Sequence, residues 1–261
     1  MTSSSEPRRP NVGRIYDHLL GGKDNYQDDR QFGDRLLAVL PDAQAAAWAN
    51  RHFLRRAVRF LAGEAGIRQF IDIGAGLPAI GNVHQVAREL EPRSRVVFAD
   101  YDRVVVAHAQ ALLCTAPGVR AIQGDVRDPA GILDHPEVRA EIDLREPVAV
   151  VLTAVLHFGP DEDSPHKLVD MLKAATAPGS YLVISHATGE DIGPEAAGQV
   201  QELYARATAP VVFRSRAEVA RFFEGLELIP PGLDNVAAWR AGPSPARPAR
   251  TIVLGGVGRT R

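Results

Sequence analysis

The chain has 261 residues, 45% hydrophobic and 24% charged, with a formal net charge of −2. Those proportions describe one α/β domain with an additional segment, and the near-neutral balance without a dominant basic block excludes a nucleic-acid field or a polybasic membrane anchor, leaving a small molecule as the expected partner. The single cysteine, Cys114, excludes an internal disulfide and a multi-cysteine zinc site, and with no apolar h-region and no membrane-length apolar run the expected setting is cytoplasmic, without a metal.

Residues 1–10 read as a disordered tail, rich in serine, proline and arginine. Val12, Ile15 and Leu19 share a helical face before Gly21-Gly22 breaks the pattern, which predicts a helix over 12–20. Around that double glycine the stretch 14–30 gathers Arg14, Tyr16, Asp17, His18, Lys23, Asn25 and Tyr26. These are more functional groups than a plain helical arm requires, and they suggest a lid that folds over an occupied site; a solvated helix and loop is the competing interpretation. Helices over 32–40, ended by Pro41, and over 43–61, with Leu54, Val58 and Leu61 on one stripe, complete an N-terminal helical extension of residues 11–62. The core domain is expected over 63–261.

That core opens on a strand over 67–73, in which Ile71 and Ile73 alternate with Phe70 and Asp72, and runs into Gly74-Ala75-Gly76. Two cofactor classes use such a glycine turn. Gly74 to Ala79 reads as G-x-G-x-x-A, with Asp100 ending the next strand, which fits a dinucleotide fingerprint. Asp72 to Gly76 reads as D-x-G-x-G, which fits the loop that holds S-adenosylmethionine. Asp72 favours the second, because a carboxylate repels a pyrophosphate and attracts a sulfonium and an ammonium.

Beyond the turn come a helix over 82–90 capped by Asn82, a strand over 95–100, and a helix presenting Val104, Val105, His108 and Leu112. Strands over 119–124, ending in Gly124-Asp125, and over 148–153, apolar on both faces, sustain the βαβ rhythm. Ser164-Pro165 supplies a cap and first residue for a helix ending near 178–179, ahead of a strand over 181–185. A helix over 194–207 and a capping box, Ser215 to Glu218, opening a helix through 224 come next. Two last strands, over 226–229 and 251–254, are separated by the proline-rich stretch 242–248, which reads as a hairpin-like excursion.

Asp72-Ile73-Gly74-Ala75-Gly76, Asp100 and Gly124-Asp125 at three successive strand ends together resemble a class I S-adenosylmethionine-dependent methyltransferase. More narrowly, Tyr16-Asp17-His18-Leu19-Leu20-Gly21-Gly22-Lys23-Asp24-Asn25, Gly76-Leu77-Pro78 leading to Asn82-Val83-His84, and Gly255-Gly256-Val257-Gly258-Arg259 resemble the actinobacterial S-adenosyl methyltransferase family first catalogued as a domain of unknown function. Pro78 departs from the broad class, where a third glycine is common. The resemblance implies a Rossmann-like α/β sheet of seven strands, the last antiparallel, with helices on both faces. It implies that Asp72, Gly74 and Gly76 face the methionine part of the cofactor and that Asp100 accepts from both ribose hydroxyls. Asp125 and Val126 would meet adenine, with Tyr101 packed on the base. Thr153 and, from the extension, Arg14, Tyr16, Lys23, Asn25 and Tyr26 complete the expected cofactor set.

Methyl transfer from a sulfonium needs alignment and water exclusion more than a base. If the acceptor must lose a proton, His157, in the stretch 153–158 at the carboxyl edge of the sheet, is the candidate general base; a residue that only shapes the pocket is the alternative. No Asn- or Asp-Pro-Pro-aromatic run of the kind found in amino-methylating nucleic-acid enzymes follows that strand, which favours a small metabolite, possible in secondary metabolism, as acceptor. An NAD-linked oxidoreductase and a protein that binds S-adenosylmethionine without transferring its methyl group stay open beside the methyltransferase.

Overall fold

The computed structural model describes residues 9–242 and 250–261. The disordered-tail reading for residues 1–8 and the hairpin-like excursion over 243–248 lie outside the described residues. At Pro10 the chain is already fixed, its carbonyl accepting the Thr208 N–H at 2.9 Å.

Three helices come first. α1 (Val12–Leu19) starts at Asn11, whose side chain accepts from the Gly13 and Arg14 N–H groups, a cap of about 1 kcal/mol. α2 (Gln27–Val39) begins well before the expected residue 32, because the Asp29 carboxylate accepts the Tyr26 N–H and closes a capping box there. α3 (Ala43–Gly63) lies across the sheet. The core then follows as β1 (Gln69–Ile73), α4 (Val83–Leu90), β2 (Arg95–Asp100), α5 (Arg103–Leu112) and β3 (Val119–Gln123). The crossover to β4 (Ala149–Thr153) carries two short helices absent from the sequence reading, α6 (Pro129–Leu133) and α7 (Pro136–Glu141), each opened by a proline.

Ser164 does not cap α8 (Pro165–Ala175) as expected. It sits in the left-handed region at φ 51°, where it closes a preceding 3₁₀ turn, and its hydroxyl makes no cap bond. β5 (Tyr181–Ala187) and α9 (Pro194–Tyr204) come next, then α10 (Arg216–Arg221), which opens on the Ser215–Glu218 capping box that the sequence predicts. The chain ends in β6 (Glu227–Leu228), β7 (Asp234–Asn235) and β8 (Val253–Arg259).

The sheet order is β3-β2-β1-β4-β5-β8-β6, parallel from β3 through β5, with β8 antiparallel to both β5 and β6. These are the seven expected strands, and the two-residue β7 adds an eighth by pairing with β8. β8 also runs far beyond the expected residue 254, through glycines that disguise it as a tail. At Gly255 a Cβ would lie 2.7 Å from Val236 and 2.9 Å from the Phe53 ring, and at Gly258 2.8 Å from Leu226, so only glycine lets those side chains rest on the strand.

Phe53, Leu54, Val58 and Leu61 of α3, with Val83 and Val86 of α4, cover one face of the sheet. Ile132, Val138, Val169, Leu172 and Val219 of α6, α7, α8 and α10, with Phe222 just past α10, cover the other. A third apolar cluster joins α1, α2 and the start of α3 to α9. Strand β1 has β2 on one side and β4 on the other, so successive crossovers diverge at its carboxyl end and leave a crevice there. The N-terminal helices and α9 roof that crevice.

Candidate functional site

Backbone sterics shape the floor of the crevice. Gly74 and Gly76 adopt φ 70° and 66°, which glycine alone takes without strain, and a Cβ on Gly74 would fall 2.5 Å from Val155. Gly76 faces open space and donates its N–H to Asp100 Oδ2 at 3.0 Å, while Asp100 Oδ1 accepts from the Asp102 N–H at 3.0 Å. Burial pushes the Asp100 carboxyl above the ordinary range, and these two N–H bonds pull against it. Asp125, past β3, is gripped by the Arg127 guanidinium at 2.5 Å, and mainly that bond lowers its pKa.

Above this floor lies a cavity of about 420 Å³. Gly74, Gly76, Asp100, Tyr101, Asp125, Val126, Thr153, Tyr16 and His157 all line it, so most of the residues singled out by sequence come together. Tyr101 and Val12 also reach the roof, each hydrogen-bonded to the Thr208 hydroxyl.

The extension supplies fewer site residues than expected. Arg14, Lys23, Asn25 and Tyr26 do not line the cavity. Arg14 Nε donates to Asp29 at 2.7 Å and its guanidinium lies over the Tyr26 ring; Asn25 Nδ2 donates to the Asp17 carboxylate at 2.8 Å and to the Gly22 carbonyl. Arg14, Asn25 and Tyr26 thus fasten α1 to α2, and Arg14 Nη1 also lies 3.8 Å from Asp102 of the cavity wall. Asp72 is likewise buried away from the cavity wall, and burial raises its pKa to about 7, with Arg51 lowering it and Asp100 raising it.

Two α3 residues that the sequence reading passed over stand in the wall instead. Asn50 Nδ2 donates to the Tyr16 hydroxyl at 3.0 Å, but its Oδ1 is buried with no partner among the described residues. Arg51 Nη2 donates to the Ile80 carbonyl and to Asn82 Oδ1 at 3.2 Å each, while its Nε is buried with no partner among the described residues. Both sit on the buried stripe of α3 that runs through Ala47, Leu54 and Val58. Polar groups on an apolar stripe were the signal available for them.

His157 occupies a 3₁₀ turn, Leu156–Phe158, beyond β4. Its Nδ1 accepts the Ala187 N–H at 3.3 Å, so the neutral ring carries its proton on Nε2. Burial, then the neighbouring His186 and Arg214, hold its pKa well below the ordinary value. Arg214, itself buried, fixes the turn by donating to the Leu156 and Gly159 carbonyls, to Asp161 at 2.6 Å and to His186 Nε2 at 2.9 Å. No cluster of metal-ligating side chains exists among the described residues, and none of their helices is long and apolar enough to cross a membrane.

Comparison with known proteins agrees with this geometry. A family profile described as S-adenosyl methyltransferase matches residues 2–261. A DUF574 family protein from Streptomyces avermitilis is 40% identical, with a TM-score of 0.91 over 97% of this chain and 98% of its own. A candidate methyltransferase from Thermobifida fusca is 37% identical, also at a TM-score of 0.91, over 97% and 96%. Human N-acetylserotonin methyltransferase, solved with S-adenosylmethionine, shares the fold at 16% identity and a TM-score of 0.52, over 95% of this chain and 63% of its own. Among curated proteins none matches the chain.

Proposed function

We propose that this chain, which belongs to the S-adenosyl methyltransferase family, methylates a small molecule held in the roofed cavity. The observation that carries the reading is the continuity of one cleft from the glycine turn and Asp100 to the N-terminal helices and α9. A space of that kind takes a molecule rather than a polymer. The alternative of a nicotinamide cofactor falls with the family.

The residues present fit the cofactor. When bound, S-adenosylmethionine supplies a methyl group already activated on a sulfonium. The open face of Gly76 admits a ligand against the backbone, and each Asp100 oxygen, with one lone pair on an N–H, keeps another for a ribose hydroxyl. Asp125 and Val126 would border the adenine, and Tyr101 would pack beside it. Arg51 and Asn50, successive residues of α3 that both line the cavity, bring a guanidinium donor and an amide acceptor to its wall, which suits the carboxylate and ammonium of the methionyl end.

Alignment then does most of the chemical work. The acceptor's lone pair forms the new bond to the methyl carbon, the carbon–sulfur pair stays on sulfur, and any proton on the acceptor leaves to water. His157 serves as an Nε2–H donor that orients the acceptor and not as a base, since its accepting nitrogen already holds the Ala187 N–H. Calorimetric titration with S-adenosylhomocysteine and with NAD tests the cofactor: binding of the first and not the second is expected. Incubation of a cell extract with methyl-labelled cofactor tests the acceptor, with label expected in the small-molecule fraction; label confined to protein or nucleic acid refutes the reading.

A further inference from the structure

Charge is unevenly divided around the cavity. Its charged wall residues are Arg51, Asp100, Asp102, Asp125, Arg127 and Asp163. They come from the loops after strands and from the point where α3 meets the glycine turn. The walls from α1, α2, α9 and the segment 205–213 carry none. There the surface is made by Leu19, Leu36, Leu40, Val200 and Val211, all buried members of the third apolar cluster.

One polar group in that half lacks a partner. The Tyr204 hydroxyl makes no hydrogen bond to any described residue, and burial alone raises its pKa so that it stays a neutral donor. Its ring is fixed edge-to-face on Phe32 at 5.0 Å and lies 5.7 Å from Phe158, so the hydroxyl is held in place.

We propose that the acceptor is a mainly apolar molecule that carries no charge away from the atom it offers for methylation and presents a hydrogen-bond acceptor to the Tyr204 hydroxyl. The inference rests on the methyltransferase reading and deepens it. A charged group placed among these leucines and valines would lose its water and meet no counter-ion, a cost no contact there offsets. A neutral body instead gains by burial. A buried hydroxyl without a partner rewards a ligand that supplies one.

Fluorescence titration of the full chain, with and without S-adenosylhomocysteine, using 2-naphthol, 2-naphthoate and 2-naphthylmethylammonium compares three rings that differ in charge. Binding of 2-naphthol at least about tenfold tighter than either ion is expected. Tyr204→Phe should weaken 2-naphthol several-fold, and Leu36→Lys should abolish its binding while S-adenosylhomocysteine still binds. The proposal is overturned if either ion binds as tightly as 2-naphthol, if 2-naphthol does not bind, or if Leu36→Lys leaves its affinity unchanged. Failure of S-adenosylhomocysteine to bind the wild type would overturn the methyltransferase reading alone, because the comparison among the three rings stands without it.

Discussion

Replacing Arg51 with alanine tests whether α3 reads the amino-acid end of the cofactor. Arg51 lines the cavity where α3 meets the glycine turn, so a carboxylate placed against its guanidinium would gain a charge-assisted hydrogen bond. Such a bond contributes about 1.5–3 kcal/mol, so Arg51→Ala should raise the Kd for S-adenosylhomocysteine about tenfold to 150-fold. The guanidinium also ties down the Ile80 carbonyl and Asn82 Oδ1, and its loss could disturb the glycine turn instead. 5′-Methylthioadenosine separates the two effects, because it keeps the nucleoside and the thioether but lacks the amino-acid chain. Calorimetry of both ligands should show a loss for methylthioadenosine of less than about threefold, under 1 kcal/mol. Arg51→Lys, which keeps the charge but not the planar fork, should fall between wild type and alanine. An equal loss for the two ligands, or none for either, refutes the assignment.

Asp100→Asn should weaken S-adenosylhomocysteine and methylthioadenosine alike, by about tenfold to a hundredfold, since both carry the ribose; unchanged affinity in a folded variant removes that role. His157→Gln should lower the methyl-transfer rate by less than about tenfold and leave its pH profile unmoved, whereas a loss of about 10²–10⁴-fold with a shifted profile would restore the base. Asp72 has a folded pKa of about 7, above its ordinary 3.8, so between those values the unfolded chain releases a proton that the folded protein keeps. Its contribution to stability is therefore full below pH 3.8 and lost as pH rises to 7. Asp72→Asn should accordingly melt above the wild type at pH 8 by more than at pH 5, and a lower melting temperature at pH 8 would contradict this. At Gly22 a Cβ would overlap the Asp17 carboxylate, so Gly22→Ala should cost about 1–3 kcal/mol in urea unfolding; no cost would mean that the loop shifts freely.

The sheet was legible because its strands are apolar runs and its site carboxylates stand at strand ends, where parallel folds place ligands. Asp100 and Asp125 needed only that rule. The double-glycine segment was harder, because composition shows functional groups but not what they meet. Asn25 Nδ2 is taken up by Asp17 and Gly22, and Arg14 is held by Asp29 on one side and lies 3.8 Å from Asp102 on the other, so both groups are engaged by the protein's own chain. Asn50 and Arg51 offered less to the eye in an alanine-rich helix, yet each keeps a buried polar atom unsatisfied beside the cavity. Asp72 shows the same limit from another side: its charge favours a cationic cofactor in sequence logic, but burial holds it half neutral near pH 7 and off the cavity wall. Residue type says which bonds a group is able to make, and folding decides which of them it still has to offer. A polar group satisfied by its own chain fixes structure; one left unsatisfied at a cavity bears the cost of burial without its return, and a ligand that completes it gains that difference as affinity.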